Sequence, residues 1–295
     1  MALESAAPIR DDPSPHALPR IRLMTLSQDE VRRYSRHLLL RDVGGPGQQK
    51  LKAARVLCVG AGGLGSPIIE YLAAAGIGTL GLVDDDVVSL SNLQRQVVHS
   101  TANVGKPKVE SAAERIAALN PHVTTELFPV RLDGDNVAGI VERFDVVVDG
   151  TDNFQTRFLV ADAAYALQKP LVTAAVQEFY GSVTTLQPYL SGDDGRPLPS
   201  WRCLMPHEPQ GDVPTCAQVG ILGAVVGVLG TLAACEVLKL ITGVGTPLIG
   251  RLLMVDIRDM RVDSIGYKRR PDTVPPTLKG VPADADQPPA LASVP

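Results

Sequence analysis

Cysteine is scarce in this chain: four occur among 295 residues, at positions 58, 203, 216 and 235, and they show no paired spacing. A disulfide framework is excluded, and a reduced, cytoplasmic protein is expected. Cys58 falls in an apolar strand and Cys235 in an apolar helix, so both are expected in the core and slow to alkylate. Positive charge is also short. The formal net charge is −4 and no Lys/Arg run reverses it, which argues against a nucleic-acid partner held through phosphates. The N-terminus lacks the apolar core of a signal peptide, because prolines and charges break Met1 to Arg20. Only Val219 to Val244 resembles a membrane span. Glu236 and Lys239 interrupt it, so a buried helix is expected and no membrane partner. No internal repeat is evident.

What is present is an ordinary soluble composition, 45% apolar and 20% charged, in a chain long enough to bury a sizeable core. Its organising stretch runs from Arg55 to Asp86. Val56 to Val59 reads as a buried parallel strand. Gly60, Gly62 and Gly65 follow as G-x-G-x-x-G, with an extra glycine at Gly63. Ser66 to Ala75 has helical spacing, with Pro67 in the first turn. A second strand, Thr79 to Val83, ends in three aspartates. Glycines let the backbone approach phosphates, a helix N-terminus offers free N–H groups, and the following carboxylate can hold ribose hydroxyls. The unit points to a nucleotide.

Elsewhere the chain alternates helices and strands. Met1 to Leu23 is proline-rich and aperiodic, a disordered leader through about residue 24. Ser27 to Leu40 starts as a helix with a Ser27/Glu30 capping box, and Gly44 to Gly47 breaks the chain after it. Val88 to Gly105 is polar and irregular, as functional connections are, and carries Asn92, Gln94, Arg95 and Gln96. Lys106 to Leu119 reads as a helix. Lys108 stands in its first turn, where the helix dipole disfavours a cation and an anionic partner would explain it. Strands are expected at Thr124 to Leu132, Asp145 to Val148, Leu171 to Val176, Gly181 to Gln187, Arg251 to Asp256 and Arg261 to Tyr267. Helices are expected at Asn136 to Arg143, Phe154 to Gln168 and Val219 to Thr242. Gly150-Thr151-Asp152-Asn153 lies at a strand's C-terminal end, where open α/β sheets collect ligands. Tyr189 to Gln218 reads as a long loop, and residues 269–295 as a disordered proline-rich tail.

Taken in order, GAGGLGS, VDDDVVSLSNLQRQ, GKPKVES, DGTDN and PTCAQVGILG resemble the E1-like adenylyltransferases of molybdopterin and thiamine biosynthesis. The resemblance covers one domain, residues 25–268. It implies an α/β, Rossmann-like, mostly parallel sheet extended by antiparallel strands. It also implies a homodimer that uses ATP and Mg²⁺ to convert the C-terminal glycine of a ubiquitin-like sulfur carrier protein ending in Gly-Gly into an acyl-adenylate. Gly60, Gly62, Gly63, Gly65, Asp84, Asp86, Asn92, Gln96 and Asn153 would then bind nucleotide, with Asp84 on the ribose. Asn92, Arg95 and Lys108 would meet the triphosphate, Asp152 would hold the magnesium, and Arg36 would reach the other subunit's site. A carboxylate nucleophile is already ionised at neutral pH, so no general base is required. His99 is accordingly expected to be structural.

The pattern departs from that family at zinc. Many relatives carry two C-x-x-C pairs. Here the first reads Ser200-Trp201-Arg202-Cys203 and the second region has none, so no zinc site is expected. Some relatives continue into a rhodanese domain. This chain ends before one, so the sulfur donor is expected to be a separate protein. Cys216 has two readings: covalent sulfur transfer or acyl capture after adenylation, or a loop cysteine without a role. Three other functions compete: an NAD-dependent oxidoreductase, a non-catalytic E1-like scaffold subunit, and a tRNA-modifying dehydratase with the same adenylation motifs. The cations of SNLQRQ and PKVES argue against a dinucleotide, and the acidic balance argues against tRNA.

Overall fold

The computed structural model describes residues 24–209, 220–274 and 276–279. The expected leader, apart from Met24, lies outside them, as do Cys216 and most of the expected tail. The strands are β1 (Arg55–Val59), β2 (Thr79–Val83), β3 (Thr124–Phe128), β4 (Val146–Asp149), β5 (Leu171–Gln177), β6 (Tyr180–Leu186), β7 (Arg251–Asp256) and β8 (Arg261–Gly266). They form one sheet in the order β3-β2-β1-β4-β5-β6-β7-β8. β3 through β5 pair in parallel, and β6, β7 and β8 extend the sheet antiparallel, as expected. The order reverses between β1 and β4, so the C-terminal ends of those strands part and open a crevice.

The helices are α1 (Gln28–Arg33), α2 (Ser35–Leu38), α3 (Gly44–Ala53), α4 (Gly65–Ala75), α5 (Lys108–Leu119), α6 (Val137–Val141), α7 (Phe154–Ala166), α8 (Trp201–Leu204) and α9 (Gly223–Thr242). Strand residues alternate between two cores, as the pleat requires. Val56, Cys58, Leu80 and Val148 meet Ile68, Leu72, Ile116 and Leu229 of α4, α5 and α9. Leu57, Val59 and Val147 meet Val137, Val141, Phe158 and Trp201 of α6, α7 and α8. The helix that resembled a membrane span is α9, and its apolar length packs on the sheet. Its buried Glu236 accepts hydrogen bonds from the Thr185 hydroxyl and the Leu248 N–H, both at 2.7 Å, and pairs with Lys239. A carboxylate so fully partnered is compatible with the core.

Four expectations change. Ser27 to Leu40 is two helices, because Tyr34 leaves helical geometry (φ −94°, ψ 15°) and its buried hydroxyl accepts a 2.8 Å bond from Asn120 Nδ2. The glycines from Gly44 to Gly47 begin α3 instead of a break, with Pro46 in the first turn, where its missing N–H costs nothing. The loop from Tyr189 contains α8, which brings Trp201 into the second core. Cys235 points outward and is exposed, in place of the buried position expected of an apolar helix.

The start of the tail is tied to the body. Arg269 donates to the Leu198 and Thr273 carbonyls and lies over the Tyr165 ring. Leu278 packs on the second core. Cys203 Sγ faces the Arg270 N–H at 3.5 Å and the Thr273 hydroxyl at 3.4 Å. Burial works to raise the Cys203 pKa, but hydrogen bonds from Thr273, Arg270 and Ser200 outweigh it and hold the thiol below its ordinary value.

Burial pushes the Cys58 thiol up to about 12. With a thiol reagent on the native protein, Cys235 is therefore expected to label, faster as pH rises, while Cys58 stays protected until denaturant is added. Peptide mapping checks this, and equal labelling of the two would contradict the placement of α9.

Candidate active site

The crevice is built from the glycines upward. Gly60 leaves β1 at φ +91°, a conformation L side chains rarely adopt. A Cβ on Gly65 would lie 2.0 Å from the Gly60 carbonyl oxygen, so only glycine lets α4 start this close to the strand end. The first turn of α4 thus stands at the mouth of a cleft of about 740 Å³. Gly60, Gly62, Gly63, Asp84, Asp86, Arg95, Gln96, Lys108, Asp152 and Asn153 all line it. Two smaller cavities of about 400 and 380 Å³ flank the Asp162–Arg202 ion pair and hold none of the expected residues.

Asp84 ties three elements together. One carboxylate oxygen accepts the Ala61 N–H at 2.8 Å and the other the Asp86 N–H at 3.0 Å. Burial raises its pKa, and Lys108 works against the rise. Lys108 is only 5% exposed. Its ammonium lies 2.7 Å from Asp86 Oδ2 and 3.8 Å from Asp84 Oδ1. The otherwise unfavourable first-turn lysine is thus held by carboxylates from the end of β2. Arg95 donates from Nη1 to the Ser91 carbonyl at 3.2 Å and lines the cleft. The Gln96 side-chain oxygen is buried with no hydrogen-bond partner among the described residues.

Three expected residues stand elsewhere. Gly65 makes the close contact beneath the loop and does not line the cleft. Asn92 Oδ1 accepts the Ser89 N–H at 3.1 Å and caps the turn Leu90–Asn92, outside the cleft lining. Arg36 is exposed on α2 and does not line this chain's own cleft.

His99 is structural in its contacts. Its Nε2 lies 2.9 Å from the Ala61 carbonyl, which can only accept, so Nε2 carries the proton. Nδ1 then accepts from the Ser111 hydroxyl at 2.8 Å. The neutral ring splints the glycine loop to α5.

The sequence reading missed the support beneath Asp152. Asp149, fully buried at the end of β4, pairs with Arg157 of α7 at 3.1 Å. Asp149 Oδ1 accepts from the Thr151 N–H and hydroxyl at 2.9 and 2.6 Å. The available signal was an acid closing an all-apolar strand, with an arginine eight residues later.

The model of the ThiF family matches residues 34–275. The chain belongs to the ThiF family. Among curated ThiF-type relatives, the Haloferax volcanii "SAMP-activating enzyme E1" is 48% identical over 84% of this chain and 90% of its own length. The Thermus thermophilus "sulfur carrier protein adenylyltransferase" is 46% identical over 84% of this chain and 91% of its own. The Mycobacterium tuberculosis "probable adenylyltransferase/sulfurtransferase MoeZ" is 45% identical, and the match spans 63% of that longer protein. Among solved structures, E. coli MccB shares the fold at a TM-score of 0.71 and 22% identity, over 85% of this chain and 75% of its own.

Burial is the main cause holding the His99 pKa below its ordinary 6.5, with Lys108 adding to it. The folded state therefore binds the proton less readily than the unfolded one. The stability that neutral His99 supports is present above pH ~6.5 and is lost as pH falls from there toward the folded-state value. Denaturant midpoints across that window are expected to fall for the wild type and to flatten for His99→Gln. An unchanged slope in the variant would remove His99 from this role.

Proposed function

We propose that the protein adenylates the C-terminal glycine carboxylate of a small ubiquitin-like sulfur carrier protein, using ATP with Mg²⁺. The observation that carries this reading is the convergence of Arg95, Lys108 and Asp152 on one glycine-floored cleft. The names of relatives nearly half identical to this chain support it.

The residues present suit the nucleotide. A Cβ on Gly63 would sit 3.3 Å from Val226 and narrow the floor where phosphates would lie. Asp152 is an exposed carboxylate without an ion pair among the described residues, a fitting oxygen ligand for a magnesium held mainly by phosphates. Asp84, Asp85 and Asp86 also cluster, but Asp86 is already neutralised by Lys108. Asp152 is therefore the better ligand.

When bound, ATP·Mg²⁺ supplies the electrophilic α-phosphorus and a pyrophosphate leaving group. The chain's own task is electrostatic. Arg95 and Lys108 offset the repulsion between an arriving carboxylate and the phosphates, and they stabilise charge on the departing oxygens. His99, bonded at both nitrogens, is not needed as a base. The three charged groups in one cleft weigh against a non-catalytic scaffold, and the net charge of −4 weighs against a tRNA substrate.

The enzyme works as a cytoplasmic homodimer in this reading, with Arg36 completing the partner's site and a separate protein donating sulfur. Exposed Arg36, outside its own cleft, supports the exchange of that residue. Cys216 falls outside the described residues. Adenylation needs no thiol, so its place in the proposal is in the later sulfur step or nowhere.

ATP–pyrophosphate exchange is expected to require Mg²⁺ and a carrier with a free C-terminal Gly-Gly. Lys108→Ala or Arg95→Ala should lower it on the order of 10²- to 10³-fold. No exchange with any Gly-Gly carrier would sink the proposal. Mixed Arg36→Ala and Lys108→Ala subunits should recover activity through hybrid dimers, and failure despite proven subunit exchange would place each site within one chain.

A further inference from the structure

The acid assigned to the metal stands on an exposed turn, yet its neighbours are among the most tightly held groups in the fold. Asp149 is 0% exposed and Arg157 is 6% exposed. Arg157 Nε faces Asp149 Oδ2 at 3.1 Å, and the same oxygen accepts the Thr173 hydroxyl at 2.7 Å. Arg157 Nη2 then donates to the Thr151 carbonyl at 2.6 Å and to the Ala174 carbonyl at 2.9 Å. With Asp149 holding the Thr151 N–H and hydroxyl, every polar group of Thr151 is bound by this one ion pair. The Thr151 carbonyl belongs to the same planar peptide as the Asp152 N–H, so fixing one fixes the other. On the far side, Asn153 caps α7 through the Thr156 N–H at 2.8 Å. The backbone that carries Asp152 is held on both sides, while its exposed side chain is free to meet a ligand.

Taking two charges out of water is unfavourable, and an apolar pair could fill the same space at little or no loss of stability. A stabilising role alone therefore does not account for the ion pair. Resting on the assignment of Asp152 above, we propose that Arg157 is a positioning residue. Through Asp149 and Thr151 it orients Asp152 to hold the metal of the bound nucleotide. The guanidinium fork is essential to this role, since the single nitrogen of a lysine could replace Nη2 at the two carbonyls or Nε at Asp149, but not both at once.

The test compares ATP affinity in EDTA and in Mg²⁺, by calorimetry on the full-length wild type, Asp152→Asn, Arg157→Lys, Arg157→Met and Thr151→Val. Wild type is expected to bind ATP more tightly with Mg²⁺, and Asp152→Asn to lose that gain. In Arg157→Met the gain should shrink by on the order of 10-fold or more, the usual cost of removing support behind a metal ligand. Arg157→Lys should fall between them. In the Arg157 and Thr151 variants affinity in EDTA should stay within about twofold of wild type, since the support acts behind the metal ligand, which a general structural lesion would not allow. Thr151→Val keeps the buried pair but removes part of its grip. It should shift the same way even if the arginine variants do not fold. A full Mg²⁺ gain in the folded Arg157 and Thr151 variants, alongside its loss in Asp152→Asn, would overturn the role of Arg157 alone. A wild type with no Mg²⁺ gain would overturn the assignment of Asp152, and this inference with it.

Discussion

The close approach of Gly65 to Gly60 is the constraint on which the cleft depends. With 2.0 Å between a hypothetical Cβ and the Gly60 oxygen, no other residue lets α4 begin against the end of β1. That contact aims the helix N-terminus at the crevice opened where the strand order reverses between β1 and β4. The loop is then secured from its other side. Asp84 accepts the Ala61 N–H, and His99 donates to the Ala61 carbonyl, so both polar groups of one loop residue are pinned. The floor of the cleft is thus hydrogen-bonded in place through Ala61.

Around that floor two of the cations are held in ion pairs. Lys108 rests between Asp84 and Asp86, and Arg157 is closed against Asp149. The two pairs serve different ends. Lys108 lines the cleft beside Asp86, and an ammonium with three N–H donors could meet a phosphate while keeping that carboxylate. Arg157 is locked to buried partners on two strands, which suits a residue that holds a loop still. A preorganised site of this kind spends little on rearrangement when charge develops.

Much of this was legible because its signals are local. The strand–glycine–helix–acid unit, the first-turn lysine and the Gly150-Thr151-Asp152-Asn153 turn each occupy a few consecutive residues. The parallel core and its antiparallel extension, by contrast, entered through resemblance to a family. The misread parts depend on distant contacts. Tyr34 breaks its helix because of Asn120, far along the chain. The segment near Cys203 is shaped by Arg270 and Thr273. In α9 nearly every side chain is apolar, so periodicity could not tell which face is open, and Cys235 turned outward. Asp149 and Arg157 went unread, because their pairing across a strand end and a helix is set by the fold.

The central claim is that the cleft directs a carboxylate to the α-phosphorus of ATP. Labelling the carrier's C-terminal carboxylate with ¹⁸O, and trapping the activated carrier with hydroxylamine, tests it most directly. Attack at the α-phosphorus leaves one carboxylate oxygen on the nucleotide, so the account predicts AMP carrying ¹⁸O and unlabelled pyrophosphate. Label in inorganic phosphate with unlabelled ADP would mean attack at the γ-phosphorus and would contradict it.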